Sequence, residues 1–174
     1  MNAAPSNTAR QPRALFYVQH LLGIGHLKRA ATLSRALETA GFSVTIVSGG
    51  KTVPGLNIGA ADFVQLSPMR SADEHFALML DDDDQPIDES HRAARRDKLL
   101  DAARPLKPDL VLTELFPFGR RHLRSEIIPL LDAVRDQARG ALIVCSVRDI
   151  LVAPSKPERG PEMVALVKQY YDRV

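Results

Sequence analysis

Phe16-Tyr-Val-Gln-His-Leu-Leu-Gly-Ile-Gly-His-Leu-Lys-Arg-Ala30 reads as the end of a strand, a glycine turn and the start of a helix. Ala14 to Val18 is an apolar run of strand length. Beyond the turn, Leu27, Ala30, Ala31, Leu33 and Leu37 share one side at helical spacing, and Lys28, Thr32, Arg35 and Thr39 share the other. Gly23 and Gly25 let the backbone bend and approach a ligand closely. In an open parallel sheet, ligands bind outside the carboxyl ends of the strands, where such a turn falls. His20 and His26 both lie on it.

The same alternation continues outward. Gly41 is placed to end the first helix. Ser43 to Val47 is β-branched and reads as a strand, as do Ala61 to Leu66, Asp109 to Thr113 and Ala141 to Val147. Helices are predicted over Ser90 to Arg104, Arg120 to Ala138 and Glu162 to Val174. The first of these turns Leu99, Leu100 and Ala103 inward, and Pro105 and Pro108 bracket its exit. Pro129 marks a kink in the next. Ser67 to Asp88 has no period and holds four consecutive aspartates, Asp81 to Asp84. It reads as a long acidic loop, functional, mobile or both. Pro154 to Pro161 reads as another loop. Strands alternating with helices give an α/β class: a Rossmann-like, doubly wound parallel sheet. It forms a single domain over residues 13–174, behind a polar tail, residues 1–12, expected to be disordered.

Composition bounds the function. The 174 residues are 45% hydrophobic and 25% charged, ordinary for a globular domain with a real core. The net charge of +2 gives no electrostatic case for a nucleic-acid partner. His91 to Lys107 is rich in both signs of charge and reads as a solvated helix face. The single cysteine, Cys145, sits within a strand and reads as a buried small side chain. The start does not resemble a secretory signal, and no stretch is long and apolar enough to span a bilayer, so a cytoplasmic location is expected.

Three motifs invite chemistry and are set aside. Gly23-Ile-Gly-His-Leu-Lys28 resembles a dinucleotide fingerprint, but Lys28 stands where a small residue is required. The second strand ends in Ser48-Gly-Gly50, without the acidic ribose ligand. Gly50-Lys-Thr52 resembles the tail of a phosphate-binding loop, but its first glycine would fall on Thr45, inside a strand, and Pro54 blocks the helix that must follow. Four adjacent aspartates in one regular element cannot all face one ion, so no metal site is assigned. His26 is different. A helix N-terminus favours the neutral ring, which can take a proton from a hydroxyl. The alternative is that it only caps or packs.

Taken together, the strand, the Gly25-His26 turn and the helix resemble the N-terminal domain of GT-B glycosyltransferases, in particular MurG-like enzymes and related predicted glycosyltransferases. Pro108-Asp-Leu-Val-Leu-Thr-Glu114 is similar to that family's fourth-strand segment, which lines the acceptor side of its cleft. The likeness spans about residues 13 to 174. It departs from MurG proper, where an extra glycine precedes the histidine and a proline follows soon after; here Gly25 directly follows Ile24, and Lys28-Arg29 replace the proline.

The resemblance implies an N-terminal acceptor domain, with a donor-binding C-terminal domain absent from this sequence and turnover not expected from this part alone. It implies a nucleotide-sugar donor as substrate, no further cofactor, and a small-molecule or lipid-linked acceptor, with peripheral membrane contact left open. Within it His26 and Glu114 are the catalytic candidates. His20, Gly23, Gly25, Arg120 and Arg121 are the acceptor and loop candidates, the two arginines as ligands for an anion. A nucleotide-sugar 2-epimerase-like half domain and a non-catalytic acceptor subunit of a split enzyme share this architecture and stay open.

Overall fold

The computed structural model describes residues 10–73, 76–137, 140–148 and 159–174. Five strands form one parallel sheet: β1 (Arg13–Val18), β2 (Ser43–Ser48), β3 (Asp62–Gln65), β6 (Leu110–Glu114) and β7 (Leu142–Ser146). Their order is β3-β2-β1-β6-β7. The chain winds outward from β1 in one direction and then returns to β1's other side. The carboxyl ends of β1 and β6 therefore flank the topological switch point.

β1 is buried on both faces, and its alternation sorts the core. Ala14, Phe16 and Val18 pack with Leu27 and Ala30 of α1 (Gly25–Thr39). Leu15 and Tyr17 point the other way, among Leu99 of α2 (Glu89–Leu106) and Ile127, Leu130 and Val134 of α3 (Arg124–Gln137). This two-sided burial is why the strand reads as a continuous apolar run. α1 ends on Gly41 at φ 92°. The Phe42 amide donates to the Leu37 carbonyl (3.0 Å) and the Gly41 amide to the Glu38 carbonyl (2.9 Å), a Schellman closure that needs the left-handed residue.

The structure moves several expected boundaries. Arg120 has φ 61° and is not helical; a 3-10 turn at Arg121–Leu123 then leads into α3. Pro105 lies inside the last turn of α2 rather than beyond it. α4 (Arg159–Tyr170) starts earlier and stops sooner than expected. The chain after it lies along β7: the Asp172 amide donates to the Ile143 carbonyl, and the Asp172 carboxylate accepts from the Ile143 amide (2.8 Å). The expected long loop is partly organised as an antiparallel pair, β4 (Arg70–Ser71) and β5 (Met79–Leu80), with Met69 and Met79 buried beneath it. The aspartate run is the turn that follows β5 and brings Pro86 back beside Leu80. Asp81 accepts from the amides of Asp83 (3.0 Å) and Gln85 (2.8 Å), and Arg70 pairs with Asp84 at 2.6 Å.

Within the expected tail, Arg10 bonds both carboxylate oxygens of Asp109, at 2.8 and 2.7 Å. Residues 1–9, Ala138, Asp149 and the 154–158 part of the second expected loop lie outside the described residues.

Candidate active site

Glu114 is the last residue of β6, in register with Ser146 of β7. Its parallel neighbour β1 ends at Val18 and runs into the glycine turn, which delivers His26 as the second residue of α1. The winding of the sheet thus brings together two side chains far apart in sequence. His26 Nδ1 lies 2.7 Å from Glu114 Oε2. Arg29, one helical turn further along α1, places Nη1 3.2 Å from Glu114 Oε1 and 2.5 Å from Ser146 Oγ. Glu114 is 5% exposed. A buried carboxylate is costly unless paired and hydrogen-bonded, and here each oxygen has a partner. The His26 side chain keeps 16% of its surface in contact with solvent.

That surface opens into a cavity of about 240 Å³ between the glycine turn and the tip of the β4–β5 hairpin. Leu21, Leu22, Gly23, Gly25, His26, Phe76, Arg120 and Arg148 line it. A larger hollow of about 650 Å³, lined by Arg10, Arg13, Lys107 and Asp109, lies at the amino ends of the strands. The smaller cavity is the better candidate, because it sits at the switch point and holds the coupled histidine.

The expected site residues separate into three groups. His26, Gly23, Gly25 and Arg120 line the cavity, with Glu114 behind His26. Gly25 has a steric reason: a Cβ there would come within 3.0 Å of the Arg148 guanidinium. His20 is 6% exposed and packs against Gly50, where a Cβ would fall 2.4 Å from the ring. Burial pulls its pKa below the usual histidine range, and the charges of His26 and Arg120 act in the same direction. Arg121 turns away and bonds Glu162, which also takes Arg124 at 2.7 Å. Gly49 and Gly50 thus serve close packing of the β1 loop: at Gly49 a Cβ would lie 2.0 Å from Gln19 Oε1 and 2.4 Å from the Arg95 guanidinium.

Sequence reasoning missed Arg29 and Arg95. Arg29 was legible as the residue three after His26 on a helix, and so on the same side. Arg95, in the run read as a solvated face, is 1% exposed. It bonds Glu126 twice, at 2.9 and 2.8 Å, and also Gln19 Oε1 (2.8 Å), the Gly49 carbonyl (2.9 Å) and the Ser67 carbonyl. Tyr17 donates to the same Glu126. This network ties together the loops that leave β1, β2 and β3. Its signal was the four-residue spacing from Arg95 to the inward Leu99. Cys145 is buried as expected, and burial pushes its thiol up to about 12.

No family model matches the chain, and no curated protein matches it. Among solved structures, the glycosyltransferase SnogD from Streptomyces nogalater aligns over 92% of this chain and 39% of its own, with a TM-score of 0.52 at 22% identity. The glycosyltransferase VinC, in complex with DTDP, aligns over 92% and 40%, with 0.49 at 18%. The calicheamicin glycosyltransferase CalG4 aligns over 93% and 43%, with 0.48 at 16%. The chain spans about two fifths of the length of these proteins. What it shares with SnogD is the fold, a Rossmann-like α/β unit that matches half of the GT-B arrangement.

Proposed function

We propose that this chain is the acceptor-binding half of a MurG-like glycosyltransferase, and that His26 takes the proton from an acceptor hydroxyl. The observation that carries the reading is the 2.7 Å contact between His26 Nδ1 and the buried Glu114 at the switch-point cavity. With Nδ1–H donating to the carboxylate, Nε2 keeps its lone pair and is the proton acceptor. As the acceptor oxygen bonds the anomeric carbon, its proton passes to Nε2. The bond from that carbon to the donor phosphate breaks, and the nucleotide leaves with the electron pair. Glu114 then faces an imidazolium, whose charge it stabilises. Arg29 braces the carboxylate from its other oxygen. The donor is a nucleotide sugar held by a second, donor-binding half. The acceptor is a small molecule or a lipid-linked sugar, the setting is cytoplasmic, and no metal is assigned. The half-GT-B fold supports this reading over the epimerase-like and non-catalytic ones only together with the coupled histidine.

The test is steady-state kinetics with the donor half present, varying donor and acceptor separately. His26→Ala is expected to lower turnover about 10²–10⁴-fold while the donor KM stays nearly constant. An unchanged turnover number would assign His26 a purely structural role.

A further inference from the structure

Arg120 and Phe76, which face each other across the cavity, both hold left-handed backbone, Phe76 at φ 58°. Arg120 adopts φ 61° and ψ 29°, a left-handed conformation uncommon for a residue with a side chain and typical of functional sites. Its guanidinium carbon lies 5.7 Å from the centre of the Phe76 ring. The nearby arginines are engaged: Arg29 with Glu114, and Arg121 and Arg124 with Glu162. Among the described residues, Arg120 has neither a hydrogen-bond acceptor nor an ion-pair partner. Burial pulls its pKa below the usual arginine range, and the more distant Glu114 charge offsets this only in part. Five planar donors on a half-buried side chain without a protein acceptor form a fork suited to a planar or tetrahedral oxyanion. The fork and His26 line the same cavity.

We infer that the cavity between the glycine turn and Phe76 is an anion subsite, in which Arg120 binds a carboxylate or phosphate group carried by the acceptor. Leu21, Leu22 and Phe76 make much of the remaining wall apolar, so the charged group is attached to an apolar body. The word acceptor rests on the glycosyltransferase reading; the anion binding does not.

The experiment titrates the chain with inorganic phosphate and, separately, with acetate, at constant ionic strength in chloride, following the Arg120 Nε–H resonance by NMR. Saturable binding of phosphate alone identifies a phosphate group, and of acetate alone a carboxylate. Arg120→Gln is expected to weaken the binding about tenfold or more, with Arg120→Lys falling between. Arg96→Gln, on an exposed face beside Asp97, is expected to leave it unchanged. No saturable shift with either anion, or equal affinity in the Arg120 variants and the parent, would overturn the subsite. His26→Ala is expected to keep the anion binding within a few-fold. Failure of His26 as a base therefore leaves the subsite standing, and absence of anion binding leaves the base untouched.

Discussion

Glu114→Gln is nearly isosteric and still offers His26 an acceptor oxygen, but it removes the charge that faces the imidazolium. If His26 and Glu114 act as one unit, the variant should lose about 10²–10⁴-fold in turnover. The double variant with His26→Ala should then be little worse than either single change. Losses that multiply would show that Glu114 acts on something other than His26. At this scale the sequence showed the donors and acceptors but only part of their grouping. His26 and Glu114 were legible because a turn after one strand and the end of another carry residue types that suit proton transfer. His20 has the same residue type on the same turn, yet it points into the protein against Gly50. Nothing in its neighbours' identity announces that direction. It depends on where the β2 loop passes.

The elements were legible to within a few residues wherever burial imposed a period, and not where it did not. β4 and β5 are two residues each, too short to show alternation. Arg95 belongs to the same lesson: its charge hid a position that helical spacing places among Leu99 and Ala103. Its ion pair spans α2 and α3, and its other bonds reach the loops after β1, β2 and β3. Removing one partner leaves an uncompensated buried charge. Glu126→Gln should therefore destabilise the fold by about 3–5 kcal/mol, read as a drop in urea midpoint. The glycines give a paired test. Gly49→Ala drives a methyl into Gln19 and Arg95 and should cost about 1–3 kcal/mol. Gly23→Ala meets nothing within 4 Å and should leave the melting temperature nearly unchanged. Equal effects at the two positions would contradict the close packing at Gly49.

Across the whole molecule, the two-faced sheet leaves buried ionisable groups whose titration reports on folding. The Cys145 thiol, raised to about 12 by burial, should react with thiol reagents only through opening of the core. Its labelling rate should rise with urea in step with global unfolding. His122 gives a sharper prediction. Burial first, then the charges of Arg120 and Arg92, pull its pKa from the usual 6.5 to about 4. The unfolded chain takes up this proton near pH 6.5, while the folded chain resists it until about pH 4. Between those values the unfolded state binds more protons, so stability falls as pH falls, then levels once both states are protonated. One fully resisted proton is worth about 1.4 kcal/mol per pH unit, and partial exposure of the ring reduces that. His20 is shifted the same way by its burial and adds to the slope. Asp84, Asp109 and Glu162, held down by hydrogen bonds from Arg70, Arg10 and Arg121, lose their contribution only as pH drops below the ordinary carboxylate range. The two regimes are therefore separable by urea melts at pH 7, 6, 5 and 3.5. His122→Gln should flatten the decline between pH 7 and 5 and leave the steeper loss at pH 3.5 intact. A parent and variant with parallel profiles from pH 7 to 5 would mean that His122 takes up its proton equally in the folded and unfolded states.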